Sequence, residues 1–390
     1  MTRRGGLAIA VVFAPAIAAA DPFLLRADAL ATTAAPAGLV SLAATADPDP
    51  RLSAEAVVWT GGGTIGDTSP ANVLVMAMRA RTTDGRASAR IGRFVESLGA
   101  LRPVQIDGAA ARVRLPYQLD VDSFAGIPVP IGVTTSRTWD WIAGGRVSRR
   151  IGDSGSFGVA YAEQRDDGSL AFEEVAVDGG ASLGKRDDVA AKLAYDLANP
   201  GLAEVSMSVS HRAGALRVEL YSSYRAASHL LPATSLFTVL GDAPAERAGT
   251  NLHWRAAPRL DVDTDVGVRS ADDSIAPAVT VRARLKLDDR GASSLSGELR
   301  RDGVGDDTWT GARAAVRIAL SKQLYTSGEA ELVVPDRDRG LGRVWPWGLV
   351  ALGWDDGTWS AAIAGEACSS PEELHRVDVL AQLGRRWGAR

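Results

Sequence analysis

The sequence has one cysteine, Cys368, among 390 residues, so no disulfide can close within the chain. After residue 20 it also lacks any apolar run near the roughly 20 residues that a membrane-spanning helix requires. There is no basic excess: 43 lysines and arginines face 47 aspartates and glutamates. That balance argues against a nucleic-acid partner, whose electrostatic footprint is a strongly basic face or tail. The four histidines, His211, His229, His253 and His375, are scattered without metal-ligand spacing. Ser210 and His211 cannot meet as a catalytic pair, because neighbours on a strand face opposite ways. No enzyme activity, metal or cofactor is therefore expected. "GGGTIG" at Gly61, Gly63 and Gly66 fits a dinucleotide fingerprint, but "DTSPA" follows where the helix should start. "SLGK", Ser182 to Lys185, lies in a hairpin turn and not at a helix N-terminus. The Asp-rich stretches "DGVGDD" and "PDRDRG" lack the glycine-anchored spacing of a calcium loop and read as solvated turns.

Residues 1–20 differ in kind from everything after them. Arg3 and Arg4 precede an apolar run from Leu7, and small residues close the segment at Ala18, Ala19 and Ala20 before Asp21. This is the pattern of a secretory signal peptide cleaved near Ala20, leaving a mature domain at 21–390 with 41 basic and 47 acidic residues.

The mature chain is dominated by alternation. In "VTVRARLKL", Val279, Val281, Ala283, Leu285 and Leu287 fall on one side, and Thr280, Arg282, Arg284 and Lys286 on the other. "DVAAKLAYDL", "AEVSMSVSHR" and "RLDVDTDVGVR" repeat the two-residue period, and no helical period interrupts it. The connections come in two alternating kinds. Tight turns "TDGR" (83–86), "GDSG" (152–155), "GKRD" (184–187), "AAPR" (256–259), "DDRG" (288–291) and "DDGT" (355–358) fall at every second junction. Between them lie longer stretches, starting at Gly61, Pro130, Ala227, Ser270, Arg301 and Pro335. Short turns at one rim and longer loops at the other predict an all-β fold, a single antiparallel up-and-down transmembrane β-barrel of about 22 strands (range about 18 to 22), with a short strand in "LLRADALAT" making the count even. The strands begin soon after the cleavage site, so a globular N-terminal plug is not expected.

All ten tryptophans, Trp59, Trp139, Trp141, Trp254, Trp309, Trp345, Trp347, Trp354, Trp359 and Trp387, sit near a proposed strand end. That placement predicts two aromatic girdles at the membrane interfaces.

The last strand, "RVDVLAQLGRRWGAR", carries Val377, Val379, Ala381 and Leu383 on one face and Trp387 near its end. Here the chain resembles outer-membrane β-barrel proteins, whose closing strand carries such a pattern and a near-terminal aromatic; Gly388, Ala389 and Arg390 after the aromatic depart from it. "IGRFVESLGALRPVQIDGAAARVRL" (91–115) looks like the Gly-Arg to Asp-Gly hairpin of porin-like and polysaccharide-export barrels. The resemblance implies the outer membrane of a Gram-negative bacterium, with outer-membrane lipid, lipopolysaccharide and the outer-membrane insertion machinery as partners.

If the apolar faces meet lipid, the other faces line the lumen. Parity about "SADDSIA" puts Asp263 opposite Arg282 and Asp261 opposite Arg284, and the next hairpin puts Glu298 beside Arg282. Arg313 falls near Glu329, with Arg317 and Glu331 on the same inner faces. The expected pore-lining ladder is thus Asp261, Asp263, Asp265, Arg282, Arg284, Lys286, Glu298, Arg300, Arg313, Arg317, Glu329 and Glu331, with Lys286 lacking a partner. It reads either as bracing for the wall or as a transverse field that tunes ion selectivity. The stretch from Ala227 carries Leu230, Leu231, Leu236, Phe237 and Leu240, so it is expected either to fold into the lumen or to pack over the rim or onto a partner. Two functions follow. One is a passive porin-like channel for small polar or charged solutes; the other is a closed barrel that scaffolds a cell-surface assembly or a homo-oligomer.

Overall fold

The computed structural model describes residues 23–33, 37–49, 51–63, 71–129, 140–226, 245–271, 274–305, 308–337, 343–369 and 375–388. The proposed signal peptide, Trp139 and most of the stretch from Ala227 lie outside them. The strands are β1 (Phe23–Thr32), β2 (Ala37–Asp49), β3 (Leu52–Gly63), β4 (Ala71–Arg81), β5 (Ala87–Glu96), β6 (Val104–Leu115), β7 (Leu119–Pro128), β8 (Trp141–Ile151), β9 (Gly155–Asp166), β10 (Ser169–Leu183) and β11 (Asp187–Asp196). The second half continues with β12 (Gly201–Ala213), β13 (Leu216–Arg225), β14 (Ala245–Ala257), β15 (Leu260–Ala271), β16 (Ser274–Lys286), β17 (Ser294–Asp302), β18 (Trp309–Ala319), β19 (Leu324–Pro335), β20 (Trp345–Asp355), β21 (Trp359–Cys368) and β22 (Arg376–Trp387).

Every strand pairs antiparallel with its neighbours in sequence, and β1 pairs with β22 from Leu25 opposite Trp387 to Thr32 opposite Leu380. The sheet therefore closes into a 22-stranded barrel with no free edge. A round barrel of that many strands, about 4.8 Å apart and tilted about 40°, measures roughly 40 Å between opposite walls. The closing seam has its own clasp. Asp378 on β22, 3% exposed, accepts hydrogen bonds from Thr32 Oγ1 (2.5 Å), Thr33 N (2.8 Å) and Thr33 Oγ1 (2.7 Å).

Most connections after even-numbered strands are tight, as at 152–154, 184–186, 214–215 and 258–259, the seven residues 287–293 being the longest, and this rim also holds the start of β1 and the end of β22. We call it the short-turn rim. The opposite rim carries longer connections, but not uniformly. β15 and β16 continue in register to Ala271 opposite Ser274, so only two residues separate them where a longer loop is expected around "SADDSIA", and only residues 167–168 separate β9 from β10.

The outward faces are aliphatic. Ile275 and Val377 are each 74% exposed and Val350 67%, exposure that an aqueous surface would not tolerate in so continuous a band. The inward faces carry the charge. On β4 to β12, however, the inner wall also bears an apolar patch, with Phe94, Ile106, Phe124, Ile142 and Phe172 buried among small alanines. A wall one strand thick buries side chains only where something covers them. The cover is the β5 to β6 connection, residues 97–103, whose Leu98, Ala100 and Leu101 belong to the same cluster.

Candidate functional site

The candidate site is the lumen, built from two unlike walls. On the β13 to β22 side, alternation places the expected ladder on one face, and the registers predicted from parity are the observed ones: Asp263 stands opposite Arg282, Asp261 opposite Arg284, and Arg282 opposite Glu298. Arg282 donates Nε and Nη2 to Glu298 Oε2 at 2.8 and 2.6 Å. Arg313, opposite both Glu298 and Glu331, reaches diagonally to Glu329 at 2.5 Å.

Other members choose partners that pairing alone does not reveal. The Asp263 carboxylate meets His253 Nδ1 at 2.7 Å, Asp265 accepts from the Tyr221 hydroxyl at 2.9 Å, and Asp261 pairs with Arg255 at 3.6 Å. Arg284, expected to hold Asp261, forms no ion pair among the described residues, and Lys286 stands opposite Ser294. Asp261 is instead held by Arg255, which stands on β14, the other flank of β15. Arg300 pairs with Asp302, and Arg317 has no carboxylate partner among the described residues but lies 3.8 Å over the Tyr325 ring.

The β4 to β12 wall is crossed by the 97–103 connection. Gly99 has φ +60°, and a Cβ there would stand 2.0 Å from Asp178 Oδ1 and 2.8 Å from Arg146 Nε. The connection therefore rests directly on the Arg146–Asp178 ion pair of β8 and β10, whose two hydrogen bonds measure 3.0 and 2.6 Å. Arg102 stacks 3.6 Å above the Phe172 ring. Burial pushes its guanidinium down from the ordinary value, and the nearby Glu174 and Asp196 carboxylates oppose that shift. Beneath the connection, Arg112 lies 3.5 Å from Asp120 and 3.4 Å from Asp122.

Sequence reasoning missed this infolded element. The signal was present in "ESLGALRP", where two leucines stand in a connection otherwise bounded by Glu96 and Arg102. The stretch singled out as an infolding loop instead, 227–244, lies outside the described residues.

The tryptophans divide by strand parity. Trp141 and Trp254 face outward, at 41% and 50% exposed, and Trp354, Trp359 and Trp387 share the outward faces of their strands. Arg385 lies between two of these rings, 4.5 Å from Trp359 and 4.7 Å from Trp387. Four others do not face lipid. Trp309 is in step with Gly311 and Arg313, and Trp345 and Trp347 stand opposite Val333 and Glu331. Trp59, opposite Ser41, shares the face of Glu55, which pairs with Arg90 across the inner wall. Trp347 donates to Glu366 at 2.8 Å. The girdle expectation is corrected for these four, because closeness to a strand end sets height in the wall and only parity sets the side.

No family model matches the chain, and no curated protein is significantly similar to it. Solved structures do match. The translocation pore of the P pilus usher PapC superposes with a TM-score of 0.53 at 9% identity, covering 94% of this chain and 99% of that one. PapC in an E. coli P pilus tip assembly intermediate gives 0.57 at 9%, covering 95% and 61%. The Pseudomonas aeruginosa ferric enterobactin receptor PfeA, in complex with enterobactin, gives 0.63 at 9%, covering 95% and 82%. Identities this low carry the fold and nothing further.

Proposed function

We propose that this chain is exported by its first 20 residues, inserted into the outer membrane, and acts there as a passive, porin-like channel for small polar or charged solutes. One observation carries the reading: a closed 22-stranded wall presents aliphatic side chains outward and a mixed-charge inner face inward. Such a wall is stable only with lipid outside and water inside. The paired ladders brace it, and the transverse field between rows such as Arg282 and Glu298 selects among ions. The connection at 97–103 narrows the lumen on one side. Trp141, Trp254, Trp354, Trp359 and Trp387 form the interfacial anchors, with lipopolysaccharide and membrane lipid as their surroundings. Planar-bilayer recording of folded protein tests the proposal: discrete conductance steps are expected, and a correctly folded barrel that never conducts refutes it.

A second reading is a barrel that scaffolds a surface assembly or a homo-oligomer. It is favoured by the apolar core inside one half of the lumen, and by likeness to an usher found with its pilus partners. Co-purification of a stoichiometric partner by a non-conducting barrel, lost when residues 227–244 are deleted, would select it over the channel.

A further inference from the structure

At the mouth on the short-turn rim a cavity of about 1200 Å³ opens between the turns at 287–293, 320–323 and 356–358. Four cations line it, Arg284, Arg290, Arg317 and Lys322, and none of them makes an ion pair among the described residues. The four lining carboxylates are all committed. Asp288 accepts from the Ala292 and Ser293 amides at 3.0 and 2.5 Å, and Asp356 from the Thr358 and Trp359 amides at 2.8 and 2.7 Å. Asp289 is paired with Arg259, and Asp355 is held by the Gly357 amide at 2.7 Å and by Arg386 at 3.2 Å. The acids thus serve the turns, and Arg259 and Arg386 neutralise two of them. The donors left facing the cavity are cationic, and Lys286 adds another charge close by.

One of these donors is held in place. The Tyr325 ring lies flat on Gly353, where a Cβ would stand 2.2 Å from its Cζ, and Arg317 stacks on the ring at 3.8 Å. The guanidinium is therefore fixed in orientation without a carboxylate, with its donor edge still free.

We infer that this mouth is a docking site for solutes carrying several oxyanions, carboxylate or phosphate, before they pass into the lumen; the passage rests on the channel reading, and the docking does not. Several charges are required because a single exposed ion pair is weak in water.

The test is calorimetric titration of the full-length protein in detergent with tripolyphosphate, with trigalacturonate, and with maltotriose as the neutral comparison. At least one anion is expected to bind while maltotriose does not. Replacing Arg284→Gln, Arg317→Gln and Lys322→Gln together weakens that binding by about tenfold or more, the effect of losing several exposed ion pairs at once. Lys185→Gln with Arg186→Gln, in another turn of the same rim, leaves it unchanged. Binding by tripolyphosphate alone or by trigalacturonate alone identifies the oxyanion and supports the site. If neither anion binds more tightly than maltotriose, or the triple variant binds as well as the parent, the inference is wrong. A protein that binds the anion yet shows no conductance refutes the channel and leaves the docking site standing.

Discussion

Replacing Gly99 by alanine tests the infolded connection where its geometry is tightest. Gly99 holds φ +60°, a conformation that costs an L-residue about 1–2 kcal/mol. The new methyl group would also stand 2.0 Å from Asp178 Oδ1. Asp178 cannot move aside cheaply, since Arg146 holds both of its oxygens at 3.0 and 2.6 Å. Docking of the connection is favoured by the burial of Leu98 and Leu101, 7% and 5% exposed. Each burial contributes about 1.5–3 kcal/mol, and the Arg102–Phe172 stack adds about 0.5–2 kcal/mol. Ordering the backbone opposes part of this gain. A penalty of 1–2 kcal/mol then raises the undocked fraction roughly 5- to 30-fold. The assay is maleimide labelling of Ala100→Cys, 2% exposed in the native chain, in a Cys368→Ser background. Faster labelling by that factor, with larger bilayer conductance, is expected. An unchanged labelling rate in a folded barrel would refute the reasoning.

Asp378→Ala removes the acceptor of three hydrogen bonds at the β1–β22 seam and should destabilise the barrel by about 2–3 kcal/mol, read as a lower melting temperature in detergent. Brominated lipid should quench Trp141, Trp254, Trp354, Trp359 and Trp387 but spare Trp309 and Trp347, which an aqueous quencher entering the lumen should reach instead; variants keeping one tryptophan each distinguish the two sets. In the turns of the short-turn rim, the Thr82 hydroxyl and the Arg86 amide hold the Asp84 carboxyl below its ordinary 3.8, and the Trp359 and Thr358 amides do the same for Asp356. Because their folded values lie below the unfolded ones, the stability they add is complete above pH 3.8 and lost as pH falls through the lower values. Thermal melts should therefore be flat from neutral pH to about 5 and decline only below 4, and Asp84→Asn with Asp356→Asn should blunt that decline. Glu298→Gln should leave the Arg282 guanidinium without its carboxylate and shift the ion selectivity of the proposed channel toward anions, measured as a reversal potential in a salt gradient.

Alternation determined most of the strands and the side on which each ladder residue stands, because the two-residue period is a local property of an extended backbone, while the even count came from requiring both ends of the barrel on one side. It was enough to place Asp263 opposite Arg282 and Glu298 beside it, since a hairpin's register follows from its turn. It was not enough to say that Asp263 would take His253 and Asp261 would take Arg255, because each inner residue has neighbours on two flanks and the direction in which each side chain lies decides between them. The tryptophans carry the same lesson. Their closeness to strand ends is visible in one dimension, but Trp309, Trp345 and Trp347 face inward only once the strand boundaries are fixed to the residue. What tertiary structure alone decided is the interior of the barrel. Gly99 meets Asp178 and Arg102 meets Phe172 across about 70 to 80 residues of chain, and such contacts exist only after the wall has curved back on itself. The mouth cavity has the same origin. Its cations could be counted along the chain and Asp288 and Asp356 are held within their own turns, but the pairing of Asp289 with Arg259 and of Asp355 with Arg386 needs neighbouring elements brought side by side at the rim.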